Sequence, residues 1–208
     1  FVLVGATATF SEQMTTQLGH LNCKWVHCAE RRWPLQRFTV KVPNRELYPA
    51  IVYTVRQLIL RHQTCLVFLP GKQEIKEVLA QLVNADGVHP SQVSELHAEL
   101  NEDEKIKAMS AQAILSTSIA ETSITLPNLD HVLDSGLSRT SQTEDDVVIW
   151  PTYPAPPSAI HQRAGRAGRG KPGCATRFVS DNSEEEISRL RISIDEIQTV
   201  LALSLIHI

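Results

Sequence analysis

Apolar and polar positions along this chain fall into short blocks whose period switches between that of a strand and that of a helix. Phe1–Thr7, Lys24–Cys28, Phe38–Val42, Thr64–Leu69, Val93–His97, Ala113–Thr117, His131–Asp134, Val147–Trp150 and Cys174–Val179 are apolar runs of strand length. Helical periods lie between several of them. Glu46–Arg61 places Leu47, Ile51, Val55, Leu58 and Ile59 on one face, and Gln73–Asn84 does the same with Ile75, Val78, Leu79 and Leu82. Ser11–Gly19 reads as a short helix with Ser11 as its N-cap, and Asn101 caps another that runs through Met109. Ser158–Gly165 also reads as helical, and Pro151–Pro157 as a rigid loop. Strands separated by helices predict crossover connections and a mostly parallel sheet, an α/β domain. From Asp181 onward the composition turns to charged helix formers, so Ser183–Leu203 is expected to open a helical appendage.

Composition narrows the class. The 208 residues carry a net charge of −3, and no apolar run approaches the roughly 20 residues of a membrane helix. The opening FVLVGATATF has no basic flank and reads as a buried strand, which predicts that the chain is a fragment. Basic residues are concentrated locally: Arg163, Arg166, Arg169, Lys171 and Arg177 lie in a stretch without acids, and an acidic stretch follows from Asp181. Such a stripe can meet phosphates whatever the overall charge. Cys23, Cys28, Cys65 and Cys174 follow no disulfide framework, and Cys65 and Cys174 are expected to be buried thiols in an intracellular setting. His20, Cys23, His27 and Cys28 fit no familiar zinc spacing, and no metal site is expected there.

Ligands of parallel α/β domains gather at the carboxyl ends of strands. Thr7, Pro70-Gly71, Thr117-Ser118 and Asp134-Ser135-Gly136 occupy such positions. Small hydroxyl residues and glycines there suit phosphate contact, although serine and threonine also simply cap helices. The strongest feature is Gln162–Arg169, QRAGRAGR. Arginines recur every third residue in a frame of glycine and alanine, which permits close approach to another surface, and guanidiniums match phosphoryl groups. Arg166 and Arg169 are expected to point the same way, as arginine fingers do in phosphoryl transfer. Gly165 to Lys171 also reads as the start of a phosphate-binding loop, but Pro172 stands where serine or threonine belongs and the stretch follows a helix. The sequence has no other P-loop and no D-E-x-H or D-E-x-D run for magnesium.

The ordered set GAT (Gly5–Thr7), LVFLPG (Leu66–Gly71), STSIAETSIT (Ser116–Thr125), DSG (Asp134–Gly136) and QRAGRAGR resembles the second RecA-like domain of superfamily 2 DEAH-box helicases. The resemblance implies a RecA-like, mostly parallel sheet flanked by helices with a short C-terminal helical extension. It divides the chain into 1–20, the end of a first RecA-like domain and a linker; 21–181, the second RecA-like domain; and 182–208, the start of a winged-helix region. It further implies ATP with Mg2+ held mainly by an absent first domain, and RNA crossing both domains. Carried over by motif, Gln162, Arg166 and Arg169 face the γ-phosphate, and Gly136 joins them at the nucleotide. Gly71, Thr117 and Ser123 contact nucleic acid, and Gly5, Ala6 and Thr7 couple hydrolysis to unwinding. Departures from the family pattern stand at Gly5, Ser118, Pro127 and Met109. Those at Gly5 and Pro127 motivate one alternative, a non-catalytic RNA-binding scaffold with a relic motor fold; a DNA-acting relative is another, because no residue in the sequence decides contact with a 2′-hydroxyl. Without a P-loop, the chain by itself is expected to be inactive.

Overall fold

The computed structural model describes residues 31–121, 126, 128–144 and 147–181. The expected elements before residue 31 and after 181 lie outside these, as do the candidate residues Gly5, Ala6, Thr7 and Ser123 and the cluster of His20, Cys23, His27 and Cys28. The fold belongs to the compact unit that begins at Arg32.

Six strands form one parallel sheet. They are β1 (Leu35–Pro43), β2 (Cys65–Phe68), β3 (Val93–Leu96), β4 (Ala113–Ser116), β5 (His131–Asp134) and β10 (Gly173–Asp181), in the order β1-β10-β5-β2-β4-β3. Every residue of β2, β4 and β5 is buried, the mark of a sheet covered on both faces. Alternation sorts their side chains into two cores. Cys65, Val67, Leu115 and Leu133 face one, with α1 (Leu47–Leu60) and α2 (Lys72–Val83) laid over them through Ile51, Val55, Leu58, Ile75, Val78 and Leu82. Leu66, Phe68, Ile114 and Val132 face the other, which is closed by Ala108 of α3 (Glu102–Ala108), Ala164 of α4 (Pro157–Ala164) and Ala167. The predicted helical stripes are therefore the buried ones, apart from Leu79, which is half-buried at the edge of the first core. Asn101 caps α3 as expected, accepting from the Glu104 amide at 2.9 Å while Glu104 Oε2 accepts from the Asn101 amide at 2.8 Å.

Two corrections concern the stretch between β5 and α4. Pro151–Pro157 is not all loop, because β9 (Thr152–Pro154) pairs antiparallel with β6 (Leu137–Arg139). The predicted strand at Val147–Trp150 exists as β8 (Val147–Ile149), but it pairs with β7 (Gln142–Glu144) in a separate two-stranded ladder and adds nothing to the main sheet. Short polar strands such as β6 carry no apolar alternation to announce them. Cys65 and Cys174 are buried as expected, and burial pushes the Cys65 thiol up to about 12. No helix among the described residues is long and apolar enough to cross a membrane.

Candidate nucleotide and nucleic-acid site

The carboxyl edge of the sheet brings three predicted positions into line. Gly71 follows β2, Thr117 follows β4 and Gly136 follows β5, and these strands are neighbours. Backbone bonds knit the edge together: the Leu69 amide donates to Ser116 O at 2.9 Å, Ser135 to Phe68 O at 3.1 Å and Thr117 to Leu96 O at 3.2 Å. Gly136 has a φ of 71°, in the left-handed region, and a Cβ added there would stand 2.6 Å from the Phe178 carbonyl oxygen. Both conditions select glycine, and both come from the fold. Gly71 is the buried N-cap of α2, and a Cβ there would meet Arg139 Nη1 at 2.5 Å. Arg139 is itself fixed. It grips Glu74 with Nη2 at 2.5 Å and Nη1 at 3.2 Å, and it bonds Thr152 Oγ1 at 2.9 and 3.1 Å. A bidentate pair therefore ties the β6–β9 ladder to the first turn of α2, beside Gly71.

The arginine-rich segment divides by role. Helix α4 ends at Ala164, and residues 165–171 are turn and bend. Arg163, on the helix, is only 2% exposed. It donates from Nε to Glu121 Oε1 at 2.7 Å, from Nη1 to Asp134 Oδ1 and to Leu137 O, both at 2.9 Å, and from Nη2 to Ser138 Oγ at 2.7 Å. Its guanidinium lies 5.3 Å from the centre of the Phe68 ring. One side chain thus joins the segments after β4 and β5 to α4. A buried guanidinium is tolerable only with its charge compensated and its donors occupied, and two carboxylates and two further oxygens do that here.

Arg166 and Arg169 do not share a helical face, contrary to the sequence expectation, because the helix has already ended. Arg166 is buried and donates from Nη2 to the Glu121 carbonyl oxygen. Burial lowers its pKa, and the charge of Arg169 lowers it further, against the pull of Glu121. The two arginines therefore still sense one another. Arg169 is exposed, and its Nε donates back to Gly165 O at 3.1 Å. Gln162 is half-buried on α4.

The turn that carries these arginines is clamped from below. Gly168 takes a φ of 69°, and a Cβ at Gly173 would lie 2.7 Å from the Gly168 amide nitrogen. A Cβ at Gly170 would lie 2.5 Å from Asn128 Oδ1, and Lys171 Nζ pairs with Asp130 Oδ1 at 2.6 Å. Ala167 is fully buried in the second core. The small residues thus serve close approach within this domain. Sequence reasoning missed Arg163 and its partner Glu121 as the organising pair. The usable signal was a carboxylate placed just after β4 and another at the end of β5, with an unassigned first arginine in the repeat.

The sheet order and the helices on both faces define a RecA-like domain. Residues 50–171 match the family model described as the helicase conserved C-terminal domain. That is more than half of the chain, which belongs to this family. The chain is similar to the fruit-fly ATP-dependent RNA helicase DHX33, at 26% identity over 76% of this chain and 25% of the relative. It is also similar to the putative ATP-dependent RNA helicase ucp12 of fission yeast, at 35% identity over 58% of this chain and 10% of the relative. Among solved structures, the Escherichia coli DEAH/RHA helicase HrpB aligns with a TM-score of 0.65 at 25% identity, covering 89% of this chain and 24% of that one. The chain thus spans a quarter or less of the length of these relatives.

Proposed function

We propose that this chain is the second motor domain of an ATP-dependent RNA helicase of the DEAH-box type, in which Arg166 and Arg169, with Gln162 beside them, act on the γ-phosphate of ATP held mainly by another domain. The observation that carries the reading is the pairing of a clamped turn with an exposed guanidinium at its tip. Arg169 is exposed on a turn that Gly168, Gly170, Lys171 and Gly173 hold in place, so little ordering remains to be done when a phosphate arrives. Arg166, fixed to Glu121, orients the turn and adds positive potential behind Arg169. Gln162, on the preceding helix, is the candidate to orient the attacking water.

These donors suit the phosphate end of ATP. Bound ATP supplies the phosphoryl group whose transfer to water releases the energy of the cycle. For Mg2+, the described residues contain no group of three or more histidine, cysteine, aspartate or glutamate residues able to hold a metal ion. Its ligands belong to the domain that carries the P-loop, and no step is assigned to it in this chain. Gly71, Thr117 and Ser123 are the candidates to touch RNA, with Gly71 and Thr117 on one edge of the sheet. Gly5, Ala6 and Thr7 are the candidates to couple the cleft to the strand.

A direct test is ATP turnover by the purified 208-residue chain. No turnover above the uncatalysed rate is expected, with or without RNA, and robust hydrolysis by this chain alone would exclude the reading.

A further inference from the structure

A groove between β1, β10 and α4 is not used by the site above. It comprises one hollow of about 310 Å3 and a second of about 140 Å3, which share Arg37, Ile160, Ala164 and Arg177 among their lining residues. The larger is within the range of small-ligand clefts. Arg37 stands exposed on the edge strand β1, and His161 is exposed at the rim of the larger hollow. Asp134 lines the smaller one.

Two buried atoms in these walls lack a hydrogen-bond partner among the described residues: Oδ2 of Asp134 and Nε of Arg177. Asp134 is only 4% exposed, and its other oxygen already serves Arg163 and the Gly136 amide. An orphaned buried carboxylate oxygen requires a donor, and an orphaned guanidinium N–H requires an acceptor. The complement is a ligand that carries a hydroxyl close to an anionic group, with an apolar edge to lie on Ile160 and Ala164. Ile160, His161 and Ala164 form one stripe of α4, and Gln162 lies about 200° round the helix from Ile160 at 3.6 residues per turn. The groove is thus on another side of the helix from Gln162.

We propose that this groove binds a sugar phosphate, the ribose-phosphate unit of a nucleotide, with the phosphate on Arg37, His161 and Arg177 and a ribose hydroxyl donating to Asp134 Oδ2. This site goes beyond the helicase reading and does not depend on it. The unit occurs in a free nucleoside monophosphate and at the 5′-phosphate end of an RNA strand, and both present the same chemistry.

The test titrates the 208-residue chain with ribose 5-phosphate while the His161 ring and Ala164 methyl resonances are followed by NMR. Saturable shifts are expected, with ribose alone and inorganic phosphate alone each binding at least tenfold more weakly. Arg37→Glu, on an exposed position, is expected to weaken binding tenfold or more with the thermal midpoint unchanged, and His161→Ala is expected to weaken it less. Adenosine 5′-monophosphate and a 5′-phosphorylated RNA strand then distinguish the sources, against the same strand with a 5′-hydroxyl. Tighter binding of either phosphorylated ligand supports the site and names its source. Four results would each overturn it: no saturation, phosphate as tight as ribose 5-phosphate (an adventitious ion only), indifference to Arg37→Glu, or failure of both phosphorylated ligands.

Discussion

Arg163 shows how one residue in a functional repeat can carry the fold. It is 2% exposed and contacts Glu121, Asp134, Leu137 and Ser138. Removing one partner of a buried ion pair leaves the other charge uncompensated, which costs about 3–5 kcal/mol. Arg163→Ala is therefore expected to lower stability by about that amount in a denaturant titration, with the slope unchanged. Arg163→Lys should recover little, since one ammonium cannot span four acceptors arranged for a planar fork. A loss under about 1 kcal/mol for Arg163→Ala would show that the network is not the clasp described here. The spacing of the arginines was plain in the sequence, but the division of labour among them was not. It depends on where the helix ends, and on Glu121 and Asp134, which are 42 and 29 residues away from Arg163 in the chain.

Elements were legible where their apolar period was strong. The stripes of α1 and α2 and the apolar runs of β2, β4 and β5 are buried as their patterns require. The β6–β9 and β7–β8 ladders were missed or misplaced because their strands are three residues long and are joined to no sheet face that would impose alternation. Strand β5 also carries a titratable residue that the pattern could not interpret. His131 is buried in it, and burial lowers its pKa from 6.5 to about 4, with Asp130 pulling it up and Lys171 and Arg61 pushing it down. The folded value lies below the unfolded one, so well above pH 7 the ring is neutral in both states and contributes no pH dependence. As pH falls from 6.5 toward 4 the unfolded chain takes up a proton that the folded chain refuses, and stability declines. Between pH 7 and 5 the loss is about 2 kcal/mol by linkage. Asp130, whose pKa is lowered by Lys171 and Thr64 hydrogen bonds that outweigh its burial, loses its contribution only below 3.8, outside that interval. Denaturation at pH 7 and pH 5 should show most of this decline in the parent chain and little of it in His131→Gln. An equal decline in both would remove His131 as the cause.

At the scale of the whole molecule, the fold class and the family were readable because five short motifs occur in order; among the described residues, three of them lie at the carboxyl ends of β2, β4 and β5, and QRAGRAGR spans the end of α4. The geometry of the site was less readable. Gly136 and Gly71 are expected ligand contacts, yet Gly136 is also required by its positive φ and the Phe178 carbonyl, and Gly71 lies against the Arg139 side chain within the domain. In the proposed function, the turn at Arg169 acts across a cleft on a nucleotide that another domain mainly holds. Arg169 is exposed and outside the core, so Arg169→Ala should change stability by no more than about 0.5 kcal/mol. The decisive measurement is RNA-stimulated ATP turnover of a protein that joins this domain to its P-loop domain, with and without Arg169→Ala. The account predicts a fall on the order of a hundredfold or more, with RNA binding and thermal midpoint retained; unchanged turnover would contradict it.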